Sequence, residues 1–252
     1  MTTFIWILIA TFLVSLISFV GVLILFLKDK LLNKIILVLV AFSAGGLMAS
    51  ALFDLMPEAI EKGQEEGVSL IAIFLYFVIG FCAFFILEQF IKWHHHHSTR
   101  HPEIAPFSYL ILISDGLHNF IDGLIIAGSF LASFQIGVIA TLAVAMHEIP
   151  QGIGNFGILI YGGVKRLRAL FLNFLSAIAA VLGGIIGFFL FKNIAEAIPF
   201  LLAFAAGSFI YISASDLIPE IKQESNSKNS AVHFLVFILG LTLIWLLTAL
   251  LA

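Results

Sequence analysis

The chain has 252 residues, of which 62% are apolar and only 11% charged, with a formal net charge of −3 and a mean hydropathy of +1.15. A water-soluble domain of this length cannot bury so much apolar surface, so the composition predicts a polytopic membrane protein. The few basic residues form no basic face, and no nucleic-acid partner is expected. Cys82 is the single cysteine, which excludes an intrachain disulfide and a thiolate metal cage.

Eight apolar runs of about 20 residues are each long enough to cross a bilayer core roughly 30 Å thick. In chain order they lie near 5–27, 35–57, 69–91, 107–131, 136–160, 169–191, 199–219 and 233–251. The predicted fold is an all-α membrane protein whose residues 1–252 form one transmembrane domain. The first run lacks a basic leader and a small-residue cleavage site, so we expect a retained helix and not a signal peptide.

Basic residues are distributed unevenly between the two sets of alternating loops. Ten of the 12 Lys and Arg residues fall on one side, and only Lys62 and Lys192 fall on the other. Positive residues mark the cytoplasmic side of a membrane protein. We therefore predict a multi-pass protein of the cell membrane with both termini outside the cytoplasm. The acidic loop EKGQEEG (61–67) would then face out, and the histidine-rich loop 94–101 would be cytoplasmic.

The second and seventh spans repeat one sequence pattern. A shift of 162 residues aligns AFSAGGLMASALFDLMPE (41–58) with AFAAGSFIYISASDLIPE (203–220), and eight of the 18 positions are identical. The shared D-L-x-P-E ending argues against a chance recurrence of small residues. The loop charges make the two copies run in opposite directions. Such an inverted repeat is typical of secondary transporters, whose substrate sites lie near the bilayer midplane.

The fourth and fifth spans carry polar side chains at bilayer depth, and in each span four of them share an arc of about 100°. An ionisable group at this depth costs roughly 2.5–3.5 kcal/mol, so such a stripe is normally functional. Both stripes are centred near the bilayer midplane, and we predict that they meet across one cavity. The residues are Asp115, His118, Asn119 and Asp122 in the fourth span and His147, Glu148, Gln151 and Asn155 in the fifth.

These side chains predict an intramembrane cation site. Imidazole, carboxylate and amide ligands without thiolate suit divalent metals such as Zn²⁺, Fe²⁺ or Mn²⁺. The absence of cysteine among these candidate ligands also favours a site that releases its ion over a closed structural one. Pro150 is expected to kink the fifth span beside His147, and Gly152, Gly154 and Gly157 are expected to permit close helix approach. The alternative for each histidine taken alone is a hydrogen bond between helices.

The motifs HNFIDG and HEIPQG, with the D-L-x-P-E repeats and the histidine-rich loop, resemble the ZIP (Zrt/Irt-like) family of divalent metal transporters, close to its histidine-rich branch. The resemblance covers essentially the whole chain. It implies two inverted three-helix repeats around a central fourth and fifth helix, which hold a binuclear site. It further implies a carrier that moves zinc, or Fe²⁺, Mn²⁺ or Cd²⁺, into the cytoplasm, with no enzyme activity and no prosthetic group.

The resemblance also implies a ligand set. His118, His147, Glu148 and Gln151 would form the first metal site, and Asn119, Asp122, Glu148 and Gln151 the second, with Glu148 bridging. The fifth-span motif of this branch usually reads HEIPHE or HEIPQE and continues with an aspartate. Here Gly152 and Asn155 stand at the two acidic positions. The loss of two carboxylates is expected to weaken the second site.

Other charged residues mark a candidate path for the cation. Carboxylates at the outer and inner mouths would collect and release it, with helix-end solvation as the alternative. Glu88 is predicted to be a structural hydrogen-bonding partner, and the histidine-rich loop either holds exported metal or is a solvated tract. Gly183 and Gly187 favour helix packing, with a homodimer as their weaker implication. The path residues are Asp54, Glu58, Asp115, Asp216 and Glu220.

Two other function classes remain open from the sequence. HEIPQ is similar to the HExxH signature of zinc hydrolases, but Gln151 replaces the second histidine and Pro150 breaks the helical turn. A non-transporting metal sensor is the other alternative, and it would be expected to carry a sizeable soluble domain. The longest predicted loop has only about fifteen residues, which favours transport.

Overall fold

The computed structural model describes residues 2–22, 28–95, 104–224 and 226–251. Within these ranges it contains no strand, and eight helices are long and apolar enough to cross a membrane. The predicted all-α membrane fold is therefore confirmed.

The eight membrane-length helices are named α1 to α8 in chain order. Helix α1 comprises Thr2–Ile17 and a 3₁₀ turn, Ser18–Gly21. Helix α2 comprises Asp29–Ala49, a π-helical segment at Ser50–Leu55 and Met56–Glu65; α3 is Leu70–His95 and α4 is Pro106–Ala132. Helix α5 is Phe134–Tyr161, and α6 comprises Arg166–Ala177 and Ala179–Ile194, followed by a 3₁₀ turn at Ala195–Ala197. Helix α7 comprises Ile198–Tyr211, a second π-helical segment at Ile212–Leu217 and Ile218–Lys222; α8 is Ser227–Leu251.

Two predicted loops differ from the structure. Helix α2 continues to Glu65, so most of the acidic segment 61–67 is helical. Glu, Lys and Gln are good helix formers, and they extend the helix beyond its apolar run. Helix α3 likewise continues to His95, into the predicted histidine-rich loop 94–101. The rest of that loop, 96–101, lies outside the described residues.

The internal repeat is visible as a matched irregularity in two helices. The π-helical segments Ser50–Leu55 and Ile212–Leu217 are separated by the 162 residues that relate the two sequence copies. Each precedes a proline, Pro57 or Pro219, that cannot donate a backbone hydrogen bond inside its helix. A π-bulge changes the local hydrogen-bond register and is frequent at functional sites. Each segment also carries one path carboxylate.

Close helix contacts repeat in the same way. A Cβ atom added to Gly45 of α2 would lie 2.0 Å from the carbonyl oxygen of Phe237 in α8. The equivalent addition at Gly207 of α7 would lie 2.1 Å from the carbonyl oxygen of Phe77 in α3. Only glycine permits backbones to approach so closely. The contact of α2 with α8 and the contact of α7 with α3 therefore correspond to each other in the internal repeat.

The helices form two groups. Helices α1, α4, α5 and α6 pack on one another, α2, α3, α7 and α8 form the second group, and α2 packs against α5 between them. Within their most apolar 18-residue segments, α4 and α7 each have 67% of their residues buried, whereas α3 and α8 each have only 17% buried. Helices α3 and α8 thus lie at the periphery, where apolar side chains such as Ile71 and Leu239 face outward.

The small-residue face of α6, formed by Gly183 and Gly187, packs against α4 of the same chain. A Cβ atom added to Gly183 would lie 2.0 Å from the carbonyl oxygen of Phe120, and one added to Gly187 would lie 2.8 Å from the Cβ atom of Ala127. Both neighbours belong to α4. The predicted helix-packing role of these glycines is therefore confirmed, and the same face does not point to a partner subunit.

Candidate metal centre

The α4 stripe is buried along its whole length. Helix α4 begins with Pro106 in its first turn, where no backbone N–H group is needed, and it continues without interruption to Ala132. Asn119 donates from Nδ2 to the backbone carbonyl oxygen of Asp115 at 3.0 Å. This contact leaves the amide oxygen of Asn119 free to face the helix interface. The four stripe residues, Asp115, His118, Asn119 and Asp122, are each no more than 3% exposed.

Helix α5 supplies the second stripe. Ser133 caps its N-terminus by accepting a hydrogen bond from the backbone nitrogen of Ile136 at 3.2 Å. The helix runs through Pro150 without a break, so the prediction that this proline breaks the helical turn is wrong. Gly154 and Gly157 lie against Ser43 and Leu39 of α2, which confirms their predicted role in close helix approach. The stripe residues, His147, Glu148, Gln151 and Asn155, are all buried.

Four of the predicted ligands converge between α4 and α5. One nitrogen or oxygen atom from each lies within 4.8 Å of every other. The Nε2 atoms of His118 and His147 both lie 3.6 Å from the same oxygen, Oδ2 of Asp122. Two ligand atoms on a tetrahedral zinc ion lie about 3.3–3.6 Å apart when each is about 2.0–2.2 Å from the metal. The spacing therefore suits one shared ion. The four residues are His118, Asp122, His147 and Glu148.

These donor atoms are buried without hydrogen-bond partners among the described residues. A buried polar atom without a partner is costly, and in a native protein it calls for a bound water or ion. Here such atoms gather in one place and are chiefly lone-pair donors. The set comprises both ring nitrogens of His118, Nε2 of His147, Oδ2 of Asp122, Oε1 of Glu148, Oδ1 of Asn119 and Oε1 of Gln151. The arrangement is suited to binding a cation.

A cavity leads from this cluster toward one end of the molecule. Its volume is about 490 Å³, and Asp122 and His147 form its inner wall. Asp54 and Glu58 of α2 lie along it, together with Glu61 and Lys62 near its mouth. The predicted path residues of the first repeat thus share one cavity with the cluster. Helix α8 completes the lining with residues that include Trp245 and Thr248, which sequence reasoning did not single out.

The path residues of the second repeat lie apart from this cavity. Among the described residues that line it, neither Asp216 nor Glu220 is found. Glu220 instead accepts a hydrogen bond from the hydroxyl of Tyr161, at the end of α5, over 2.7 Å. This contact joins α5 to α7 at the opposite end from Asp54.

Two further carboxylates have defined partners. Glu88 of α3 is buried and accepts a hydrogen bond from the hydroxyl of Tyr211, as expected for a structural role. Asp115 accepts hydrogen bonds from Gln151 and Asn155 of α5 and from Ser176 of α6. Sequence reasoning missed Ser176, because a serine in an apolar helix is an ordinary residue. Its only signal is the spacing of three residues from the buried Asn173.

Gly152 does not adjoin the four-residue cluster. A Cβ atom placed there would first meet Val20 and Ser18 of α1, at 3.4 and 3.6 Å, and then Asn173 of α6, at 3.8 Å. A longer side chain at position 152 would therefore start toward α1 and α6.

Comparison with known families identifies the scaffold that carries this site. The family model described as "ZIP Zinc transporter" matches residues 3–108 and 94–248, which is nearly the entire chain. The chain belongs to the ZIP family. With its eight membrane-length helices, this ZIP protein is a multi-pass membrane protein.

Named relatives of this ZIP protein include metal transporters from animals. It is 39% identical to the metal cation symporter ZIP14 of Bos taurus over 147 residues, which are 57% of this chain and 30% of that relative. It is 29% identical to the zinc transporter ZIP13 of Pongo abelii over 222 residues, 81% of this chain and 64% of the relative. The IAA-alanine resistance protein 1 of Arabidopsis thaliana is 40% identical over 139 residues, covering 54% of this chain and 29% of that relative. The matched region thus spans about 30% of ZIP14 and under two thirds of ZIP13.

Proposed function

We propose that this ZIP protein carries a divalent transition metal, with zinc as the principal cargo, across the membrane through the site between α4 and α5. The observation that carries the proposal is the cluster of His118, Asp122, His147 and Glu148, whose buried donor atoms lie within 4.8 Å of one another. Two imidazoles with two carboxylates favour Zn²⁺, and they also suit Fe²⁺, Mn²⁺ and Cd²⁺. The names of the ZIP14 and ZIP13 relatives support transport as the activity.

The ion is bound in two overlapping positions. His118, His147, Glu148 and Gln151 hold the first, while Asn119 and Asp122 join Glu148 and Gln151 in the second. Oδ2 of Asp122 lies 3.6 Å from Nε2 of both histidines, so this oxygen is also placed to bind an ion in the first position. Support comes from the unpartnered oxygens of Asn119 and Gln151, which are buried near the same helix interface. Glu148 bridges the two positions. The second is the weaker, because its amide oxygens carry no charge.

Movement runs from the cavity of Asp54 and Glu58 toward Asp216 and Glu220. The first pair lines an acidic cavity that reaches the cluster, and the second occupies the equivalent part of the other repeat. The ten-to-two distribution of basic residues supports a cytoplasmic location for the second pair, with both termini outside. The cargo therefore moves into the cytoplasm. Glu220 also accepts a hydrogen bond from Tyr161, so a carboxylate of the second pair contacts α5, the helix that carries His147 and Glu148.

The metal is a substrate and not a resident cofactor, and the protein carries out no covalent chemistry. A hydrolase of the HExxH type would need a second histidine ligand at position 151, where this chain has a glutamine. Helix packing within one chain uses the small residues of α6, so a homodimer would need another surface.

Uptake by proteoliposomes tests this function. Purified protein is reconstituted alone, and influx of radioactive Zn²⁺, Fe²⁺, Mn²⁺ and Cd²⁺ is measured for the wild type, His118→Ala and Glu148→Ala. We expect zinc influx in the wild type and its loss in both variants. His233→Ala is the matched control, because it removes another buried histidine on α8 that is not part of the cluster. Absence of flux in the wild type, or wild-type flux in both cluster variants, would refute the proposal.

A further inference from the structure

Asp115 is a buried carboxylate surrounded by neutral hydrogen-bond donors. It lies on α4 one turn before His118 and is 3% exposed. Its Oδ1 atom accepts from Nε2 of Gln151 at 3.2 Å and from Nδ2 of Asn155 at 2.6 Å. Its Oδ2 atom accepts from Oγ of Ser176 at 2.5 Å. These three contacts use most of the capacity of the carboxylate to accept hydrogen bonds.

The contact with Asp115 determines which end of the Gln151 amide points toward the carboxylate and which end points away from it. A carboxylate only accepts hydrogen bonds, so the NH₂ group of Gln151 must point at Asp115 and the amide oxygen must point away. That oxygen is buried and has no hydrogen-bond partner among the described residues. The two ends of the amide act on a cation in opposite ways, because the oxygen coordinates it and the NH₂ group repels it. A half-turn of the amide would therefore remove a ligand without removing a residue.

We propose that Asp115 is a positioning residue, which fixes the amide of Gln151 so that its oxygen is presented to the transported metal. Asp115 then acts through Gln151 and is neither a ligand nor a step on the path of the ion. The proposal rests on the proposed function, since it concerns the same site. Partners that orient metal ligands typically contribute about 10- to 100-fold to metal affinity.

Asp115→Asn is the first test, because it keeps the shape of the side chain. The asparagine introduced at position 115 would offer an NH₂ group as well as an oxygen, so Gln151 would gain a donor that its own oxygen can accept. The amide of Gln151 would then be free to turn its NH₂ group toward the metal. We expect zinc affinity to fall about 10- to 100-fold, measured by calorimetry on purified protein. His94 to His97 and His101 are replaced by serine in every sample, so that they contribute no binding.

The exchanged pair Asp115→Asn with Gln151→Glu is the decisive variant. It keeps the net charge and the number of carboxylates, and it restores the hydrogen bond with donor and acceptor exchanged. Because both ends of the new carboxylate on α5 are oxygens, one would accept from the new amide on α4 and the other would still face the metal. Zinc affinity should return to within about threefold of the wild type, a change of less than about 1 kcal/mol. A merely structural role for Asp115 predicts instead that Gln151→Glu changes zinc affinity by the same factor whether position 115 is aspartate or asparagine, so Gln151→Glu alone is measured beside the pair.

Glu88→Gln is the matched control, since it also converts a buried carboxylate to an amide but lies on α3 beside Tyr211. Its zinc affinity should be unchanged. Wild-type affinity in Asp115→Asn, or a folded exchanged pair that stays as weak as the single variant, would overturn the proposal. If Asp115→Asn alone does not fold, recovery of folding and binding in the exchanged pair supports it, and failure of both to fold overturns it. If the wild-type protein binds no zinc, that result would instead refute the proposed function.

Discussion

Nε2 of His147 on α5 lies 3.6 Å from Oδ2 of Asp122 on α4, and this contact joins the two polar stripes across the interface of the helices. The distance is too long for a hydrogen bond and close to the separation of two ligands on one zinc ion. The same oxygen of Asp122 also lies 3.6 Å from Nε2 of His118. Asp122 therefore occupies the central position among the candidate ligands.

Replacing Asp122 with asparagine should weaken zinc binding strongly. The variant keeps the side-chain volume but removes the charge, and it replaces one oxygen with an NH₂ group. Loss of an outer partner typically lowers metal affinity about 10- to 100-fold, and loss of a ligand should lower it further. Calorimetry on the variant and on Glu88→Gln, a buried change outside the cluster, measures the difference. Equal affinities would remove Asp122 from the ligand set.

Asn155→Asp should make the stability of the protein depend more strongly on bound Zn²⁺. Nδ2 of Asn155 donates to Asp115 over 2.6 Å, so an aspartate would bring two buried carboxylates together. Two buried carboxylates at this distance repel each other, so the metal-free variant should unfold at a lower temperature than the wild type. Added Zn²⁺ should raise its melting temperature by more than it raises that of the wild type. An equal rise in both proteins would contradict this account of Asn155.

Gly152→Glu is the companion variant to Asn155→Asp. Its new side chain would start toward Val20 and Ser18, away from the four-residue cluster. It should therefore leave the number of bound zinc ions, measured by calorimetry, unchanged even though it adds a carboxylate. A higher stoichiometry would show that the side chain reaches the metal position.

Glu58→Gln should raise the KM for zinc and leave kcat nearly unchanged. Glu58 lines the cavity outside the cluster, where its charge attracts the incoming ion. One unit charge acts on a divalent ion about 6 Å away with about 1.4 kcal/mol in water, so the KM should rise by up to about tenfold. The effect should shrink as ionic strength increases. Glu66→Gln, a neighbouring change outside the cavity lining, should leave the KM as it is.

Cysteine labelling of intact cells should define the orientation. Single cysteines at Gln64 and Ser227, in a background where the exposed Cys82 is replaced by serine, lie at opposite ends of the molecule in the predicted topology. An impermeant thiol reagent should modify position 64 in intact cells and position 227 only after permeabilisation. The reverse pattern would invert the topology and, with it, the proposed direction of transport.

The polar stripes could be predicted from the sequence because helical spacing alone places Asp115, His118, Asn119 and Asp122 on one face. The internal repeat could also be recognised from the sequence, since both copies end in D-L-x-P-E. The π-helical segments could not be foreseen, because the bulge depends on how each helix accommodates its proline within a packed bundle. The contact between Ser176 and Asp115 could not be predicted from the sequence either. It depends on the register of α6 against α4, which is fixed by the close approach of Gly183 to Phe120.

Zinc K-edge X-ray absorption tests the central claim, that His118 and His147 bind one metal ion together, most directly. The protein is loaded with one equivalent of Zn²⁺, with His94 to His97 and His101 replaced by serine. We predict two imidazole ligands at about 2.0–2.1 Å and oxygen ligands at about 2.0–2.2 Å. One imidazole should be lost in His147→Ala and none in His233→Ala. A spectrum without imidazole ligands, or one unchanged by His147→Ala, would contradict the account.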